Sequence, residues 1–242
     1  MSQPAAPPDP YRCPGLFVVG TDTGVGKTYV AARIAAALLQ EGLKVGVYKP
    51  AASGCRREES DLVSEDAVLL WEAAGKPGDL EAVCPQRFAA PLAPHLAARD
   101  EGKEIDPRLL RSGIEYWRER SDIVIGEGAG GIMSPLGDNE YVIDLAAEFG
   151  YPLVVVAPNR IGVINATLLT LIAAAARYPA LQIAGIVLND ILSPEASAND
   201  PSIHSNAQEI RARCNAPLLA ELPHTAITFR PSVNWPVLAA RQ

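Results

Sequence analysis

LFVVGTDTGVGKTYVAARIAAALLQEG, residues 16–42, runs from an apolar strand through a glycine-rich loop into an alanine- and leucine-rich helix. Strand, loop and helix in that order form the setting in which a G-x-x-x-x-G-K-[ST] loop holds a polyphosphate. Gly24 and Gly26 let the backbone turn its N–H groups inward, and the helix N-terminus adds its partial positive charge. Lys27 can then bridge the β and γ phosphates, and Thr28 is placed to reach a magnesium ion through its hydroxyl. The first glycine position of the pattern holds Thr21, with Gly20 one residue earlier. A glycine-rich turn that merely caps a helix would leave the coincidence of lysine, hydroxyl, strand and helix unexplained.

Outward from this loop the same alternation continues. Apolar runs of strand length recur at 45–49 (VGVYK), 122–126 (DIVIG), 152–157 (PLVVVA), 184–188 (AGIVL) and 217–222 (PLLAEL). Helix-length segments lie between them, at 27–41 closed by Gly42, at about 62–74 closed by Gly75, at 107–119 opened by Asp106 and Pro107, and at 163–177. Strands apolar on both faces that alternate with helices predict an α/β fold, a doubly wound parallel sheet of P-loop NTPase-like architecture in a single domain. Ligands in such a sheet bind beyond the carboxyl ends of the strands. Residues 1–14, rich in Pro and Ala, read as a flexible leader, and 15–242 as the domain. The proline-rich stretch 76–105 has no clear period and reads as an irregular excursion over the surface.

Composition excludes other classes. The chain has 242 residues, 48% of them hydrophobic, enough to bury a substantial core. Its net charge of −7 repels a phosphate backbone, and its one basic pair, Arg56 and Arg57, is followed by Glu58 and Glu59, so no nucleic acid partner is expected. No apolar run approaches the ~20 residues that span a bilayer, so no membrane partner is expected either. The scattered cysteines, Cys13, Cys55, Cys84 and Cys214, form no CxxC pair, and the start MSQPAAPPDP lacks the regions of a signal peptide. Reduced thiols in the cytoplasm are the expectation. His95, His204 and His224 have no metal-ligand spacing and read as surface or loop residues, with His95 the one that a substrate pocket would claim. Trp71, Trp117 and Trp235 read as core or interface anchors.

A phosphate loop needs acidic partners for its metal. The run DIVIG ends in Glu127, followed by Gly128, Ala129, Gly130 and Gly131, so a carboxylate emerges from a strand end into a loop that can approach phosphates closely. A glutamate capping a turn is the plainer alternative. Asp66 stands beside Asp61 and Glu65 at a helix start, where carboxylates suit the helix dipole anyway, and spacing does not single it out. Lys49 ends the second strand, and Pro50 forces an extended exit that leaves it at the carboxyl edge of the sheet, as a site residue or as a solvated strand-end lysine.

GTDTGVGKT at 20–28, VYKPAASG at 47–54, the Asp66 helix, FAAPLAPH at 88–95, GEGAGGIMSPL at 126–136 and LND at 188–190 occur in one order, and together they resemble the dethiobiotin synthetase family. The similarity runs from about residue 15 to 190 and less clearly to Pro223. The resemblance implies a ligase that carboxylates one amine of 7,8-diaminopelargonic acid with CO2, phosphorylates the carbamate with ATP and Mg²⁺, and lets the other amine expel phosphate to close the ureido ring. It implies Lys27 and Lys49 as catalytic cations, and Thr28, Asp66 and Glu127 as holders of Mg²⁺. Gly24, Val25, Gly26, Lys27, Thr28, Tyr29, Asp66, Glu127, Gly128, Ala129, Gly130, Asn189 and Asp190 are then expected at the nucleotide, with Asn189 reading the adenine edge. Thr23, Lys49, Ser53 and Asn165 are expected at the substrate. Asn165 belongs to a helix beginning near Gly162 whose N-terminus receives the substrate carboxylate across a homodimer interface. Ala166 stands where some relatives carry a histidine, and the segments 191–200 and beyond Pro223 match the family poorly.

A partition or septum-site ATPase, which switches partners instead of making a product, is the competing class. Those proteins carry a lysine early in the loop where this chain has Asp22, and no basic amphipathic helix closes the sequence to grip a membrane.

Overall fold

In the computed structural model, which describes residues 13–59 and 61–240, six parallel strands form one sheet. They are β1 (Gly15–Gly20), β2 (Val45–Tyr48), β3 (Ile123–Gly131), β4 (Leu153–Pro158), β5 (Ile183–Asn189) and β6 (Leu218–Leu222), in the spatial order β6-β5-β4-β1-β3-β2. Each expected strand is present. β1, β2 and β4 are buried along their whole length, as the uninterrupted apolar runs required. The leader expected over 1–14 lies, apart from Cys13 and Pro14, outside the described residues.

The flanking helices are α1 (Lys27–Gln40), α2 (Glu65–Ala73), α3 (Pro94–Asp100), α4 (Pro107–Arg118), α5 (Val142–Phe149), α6 (Val163–Arg177), α7 (Ile203–Arg213) and α8 (Trp235–Ala239). In α1 the buried residues Val30, Ala31, Ile34, Ala35 and Leu38 recur at helical spacing and form the face laid on the sheet. Gly42 ends that helix with φ 85°, a left-handed conformation that costs a glycine little. α4 starts where Asp106 accepts hydrogen bonds from the N–H groups of Arg108 and Leu109, at 2.8 and 3.2 Å. It buries Leu110, Ile114 and Trp117.

Trp117 and Trp235 are buried core anchors; Trp71 is only half-buried and donates to the Pro77 carbonyl at 2.9 Å. The excursion 76–105 is less irregular than its sequence suggests. It contains a short helix at Leu80–Val83, a strand segment Gln86–Arg87 paired in parallel with Ala51–Ala52, and α3. The prolines explain this: Pro94 occupies the first turn of α3, where its missing N–H costs nothing. Three helices, α5, α7 and α8, had no expectation attached to them. α5 has only eight residues, too few to establish a period in sequence, and α7 is polar almost all round, so neither shows a sustained apolar stripe.

Candidate active site

The phosphate loop leaves β1 at Gly20 and enters α1 at Lys27. Gly26, the helix N-cap, has φ 84° and no side chain to close the first turn, so the amides at the helix start are left for a ligand. Lys27 is 7% exposed and donates to the Asp22 carbonyl at 3.1 Å. Burial pushes its amine below the ordinary lysine range, with the charge of Glu127 acting in the opposite sense.

Strand register explains how the second lysine meets its acid. Parallel pairing sets Tyr48 beside Gly126 and Val18 beside Glu127, so Lys49, one residue past Tyr48, stands next to Glu127 at the carboxyl edge. The Lys49 Nζ donates to Glu127 Oε1 at 2.6 Å and pairs with Asp66 Oδ2 at 2.7 Å. Thr28 Oγ1 donates to the same Glu127 Oε1 at 2.8 Å. Lys49 is 4% exposed and Glu127 fully buried. Burial alone would lower the Lys49 amine, yet the charges of Glu127 and Asp66 hold it above the usual lysine range. For Asp66 burial favours the neutral acid, but Lys49 outweighs it and keeps the carboxyl below its ordinary value. The helix-start ambiguity is thereby resolved by contact: Ser64 caps α2, accepting from Ala67 N at 3.2 Å, and Asp66, not Glu65 or Asp61, faces Lys49.

A cleft of about 360 Å³ is lined by Thr23, Gly24, Gly26, Lys27, Thr28, Lys49, Ala52, Ser53, Asp66, Glu127, Ala129 and Gly130. It adjoins a second cavity where Thr23, Ser53, Ala129 and Gly130 meet Pro91, Leu92 and Ser134. The expected phosphate, carboxylate and Ser53 positions are thus gathered in one place. Glu127 Oε2, buried and without a hydrogen-bond partner among the described residues, is the donor atom a divalent cation would complete. Among the described residues no group of three or more His, Cys, Asp or Glu could hold a metal alone, so two carboxylates and a hydroxyl fit a cation whose remaining ligands come from phosphates and water.

Other expected residues lie outside that cleft. Val25 is buried in the core, and Gly128 faces Val142 and Phe17, where an added Cβ would come within 2.5 Å of Val142. Tyr29 donates from its hydroxyl to the Ala226 carbonyl at 2.8 Å, tying α1 to the segment after β6. Asn189 donates from Nδ2 to the Val25 carbonyl at 3.0 Å, and Asp190 accepts from Asn159 at 2.8 Å. Asn165 is exposed in a separate cavity shared with Thr21, Asp22, Met133 and Ser134. His95 lies away from the cleft, in a charged cavity with Arg99, Arg111, Glu140 and Arg177. Sequence reasoning missed Ser134, whose Oγ accepts from Gly131 N at 2.8 Å and shapes the turn that leaves β3, and the buried pair Asn159–Asn206.

No helix among the described residues is long and apolar enough to cross a membrane. Among solved structures, the septum site-determining protein MinD of Pyrococcus horikoshii, complexed with Mg-ADP, aligns at a TM-score of 0.52 and 18% identity, over 87% of this chain and 81% of that one. The signal recognition particle receptor FtsY of Elizabethkingia anophelis aligns at 0.51 and 15% identity, over 89% of this chain and 60% of that one. At such identities the likeness is one of fold. In sequence, an AAA domain family matches residues 14–232. The ATP-dependent dethiobiotin synthetase of Rhodopirellula baltica is 41% identical over 85% of this chain and 82% of its own length. That of Anaeromyxobacter dehalogenans is 44% identical over 94% and 98%, and that of Bacillus licheniformis 38% over 86% and 85%. Shared along most of the length of both partners, this similarity shows that the chain belongs to the ATP-dependent dethiobiotin synthetase family.

Proposed function

We propose that the chain, over residues 15–242, closes the ureido ring of dethiobiotin from 7,8-diaminopelargonic acid, CO2 and ATP, releasing ADP and phosphate. The observation that carries the reading is Lys49, held between Glu127 and Asp66 beside the phosphate loop. A carbamate and a triphosphate repel each other, so a cation must stand between them, and an ordinary ATPase loop needs no second buried lysine there. Lys27 and Lys49 are balanced by Asp66 and Glu127, so the protein brings no surplus positive charge to the phosphates. Thr28, Asp66 and Glu127 would hold a Mg²⁺ ion, which supplies the missing charge when phosphate is transferred. Lys27 and the amides of Gly24 and Gly26 bind the polyphosphate. Thr23 and Ser53, at the mouth between the two adjoining cavities, position the diamine.

The test is phosphate release from ATP with bicarbonate, measured with and without 7,8-diaminopelargonate. Release that depends on the diamine is expected; release at the same rate without it would overturn the reading. A reducing cytoplasm is supported by four cysteines without a disulfide, and a small-molecule role without nucleic acid or membrane by the net charge of −7.

A homodimer is supported by exposed apolar residues on and beside α6. Leu169 and Ile172 in the helix are 58% and 62% exposed, with Asn165 on the same helical face, and Ile161, just before the helix, is 77% exposed. In a two-fold dimer each site would borrow Asn165 and the amides near Gly162 from its neighbour for the substrate carboxylate. Mixing inactive Lys49→Ala protein with inactive Asn165→Trp protein is then expected to restore activity, since one of the two sites in a mixed dimer carries both original residues. If subunit exchange is verified by native mass spectrometry and no turnover returns, the site is built within one chain.

A further inference from the structure

The Val25 carbonyl does not point into the phosphate loop. It is held on the loop's outer side by Asn189, the last residue of β5, whose Nδ2 donates to it at 3.0 Å across 164 positions of sequence. The approach is close: a Cβ at Gly26 would lie 2.2 Å from that same nitrogen, so the carboxamide is packed directly against Gly26. Asn189 is 4% exposed and has little freedom of its own. Its carbonyl accepts from Asn159 N at 2.8 Å, and the next residue donates from Asp190 N to Leu222 at 2.9 Å. Asp190 Oδ1 accepts from Asn159, which in turn accepts from buried Asn206 at 2.9 Å. The ends of β4, β5 and β6 therefore fix Asn189 as a rigid post.

The peptide between Val25 and Gly26 is trans, the one cis bond among the described residues being Arg230–Pro231. In a trans peptide the C=O and the following N–H point in opposite directions. A post that holds the Val25 carbonyl outward turns the Gly26 N–H inward, to the side where Gly26 lines the cleft with Lys27 and Thr28. Without Asn189 a loop rich in glycine can flip this peptide, and the donor is lost to the phosphates.

We propose that Asn189 is a positioning residue for phosphate binding and transfer: it locks the Val25–Gly26 peptide plane so that the Gly26 N–H is aimed at the polyphosphate. This rests on the reading of the loop as the phosphate site. It also goes beyond any contact of Asn189 with the base. One N–H of the carboxamide serves the loop, and its Oδ1 and second N–H remain for the nucleotide. The two tasks share one rigid side chain, so the base-side strand ends and the phosphate loop are mechanically joined.

Inorganic tripolyphosphate separates the tasks, because it has no base. With Mg²⁺ present, calorimetry on the full chain should show that Asn189→Ala binds tripolyphosphate about tenfold more weakly than the unaltered protein, the effect expected for one amide donor to a charged group. Asn189→Leu, which keeps the volume without the donor, should behave alike, and thermal unfolding identifies a variant that has lost its fold. In ¹⁵N spectra the Gly26 amide should shift on adding tripolyphosphate to the unaltered chain, and shift far less in either variant. Variants that lose ATP affinity but keep full tripolyphosphate affinity would assign Asn189 to the base alone and overturn the proposal. An unaltered chain that binds ATP but not tripolyphosphate would instead remove the phosphate-loop reading on which it stands.

Discussion

Lys49→Ala is expected to lower turnover by ~10²–10³ while ATP affinity stays close to that of the unaltered chain. The reason lies in what Lys49 touches. Its amine is 2.6 Å from Glu127 and 2.7 Å from Asp66, and none of its hydrogen bonds goes to the phosphate loop. Its charge matters most when negative charge builds between carbamate and γ-phosphate, which is a transition-state contribution and not a binding one. The variant carries a structural cost as well, since removing one partner of a buried pair leaves a bare carboxylate and typically destabilises by about 3–5 kcal/mol. Mg²⁺ together with ADP should recover much of that, because the cation occupies the same acids. Rates are therefore to be compared in saturating Mg²⁺ after the fold is verified, with ADP affinity from calorimetry alongside. If ATP or ADP affinity collapses in parallel with the rate, Lys49 belongs to the nucleotide site.

That Lys49 stands at a strand end was legible in the sequence, because an apolar run that stops at a charged residue marks the sheet edge. For Glu127 the same reading fails: β3 runs on through the glycines to Gly131, and the glutamate is inside the strand, beside the point where β2 stops. That the two residues are neighbours was not legible. β2 follows β1 in sequence but pairs with β3, a crossover that only the whole sheet decides. The phosphate loop was readable because its signals are local: glycines, lysine, hydroxyl and flanking periods lie within a dozen residues of one another. Asp66 could not be told from Glu65 by composition, since either suits a helix start; the Ser64 cap sets the rotation of α2 and so chooses. Asn159, Asn189 and Asn206 form a buried polar chain from two strand ends and a helix. In sequence such residues look like ordinary loop or surface asparagines, because their burial depends on contacts more than 30 positions away. The helices α5 and α7 escaped because α5 is only eight residues long and α7 buries little beyond Asn206 and Ile210, so neither carries a sustained apolar period.

Lys27→Ala should differ from Lys49→Ala in kind. Lys27 begins α1, is buried by the loop and the acids around it, and rests its amine on the Asp22 carbonyl at 3.1 Å. A lysine held this way, on a backbone oxygen and not on a carboxylate, gives up only a neutral hydrogen bond when it turns to a phosphate, so its charge is available in the ground state as well as during transfer. Burial also keeps water from competing for it, which strengthens its attraction to the polyphosphate. Alanine at this position should therefore abolish measurable turnover, by ~10³ or more, and weaken ATP binding in the same experiment, since both states lose the contact. Stability should fall less than in Lys49→Ala, because among the described residues Lys27 has no directly ion-paired carboxylate and acts on Glu127 and Asp66 only at longer range. Phosphate release and ATP calorimetry, run side by side on the two lysine variants, decide the matter. Affinity lost with Lys27 and kept with Lys49 divides holding from transfer between the two lysines, and unaltered phosphate release in Lys27→Ala would remove the phosphate loop from the mechanism.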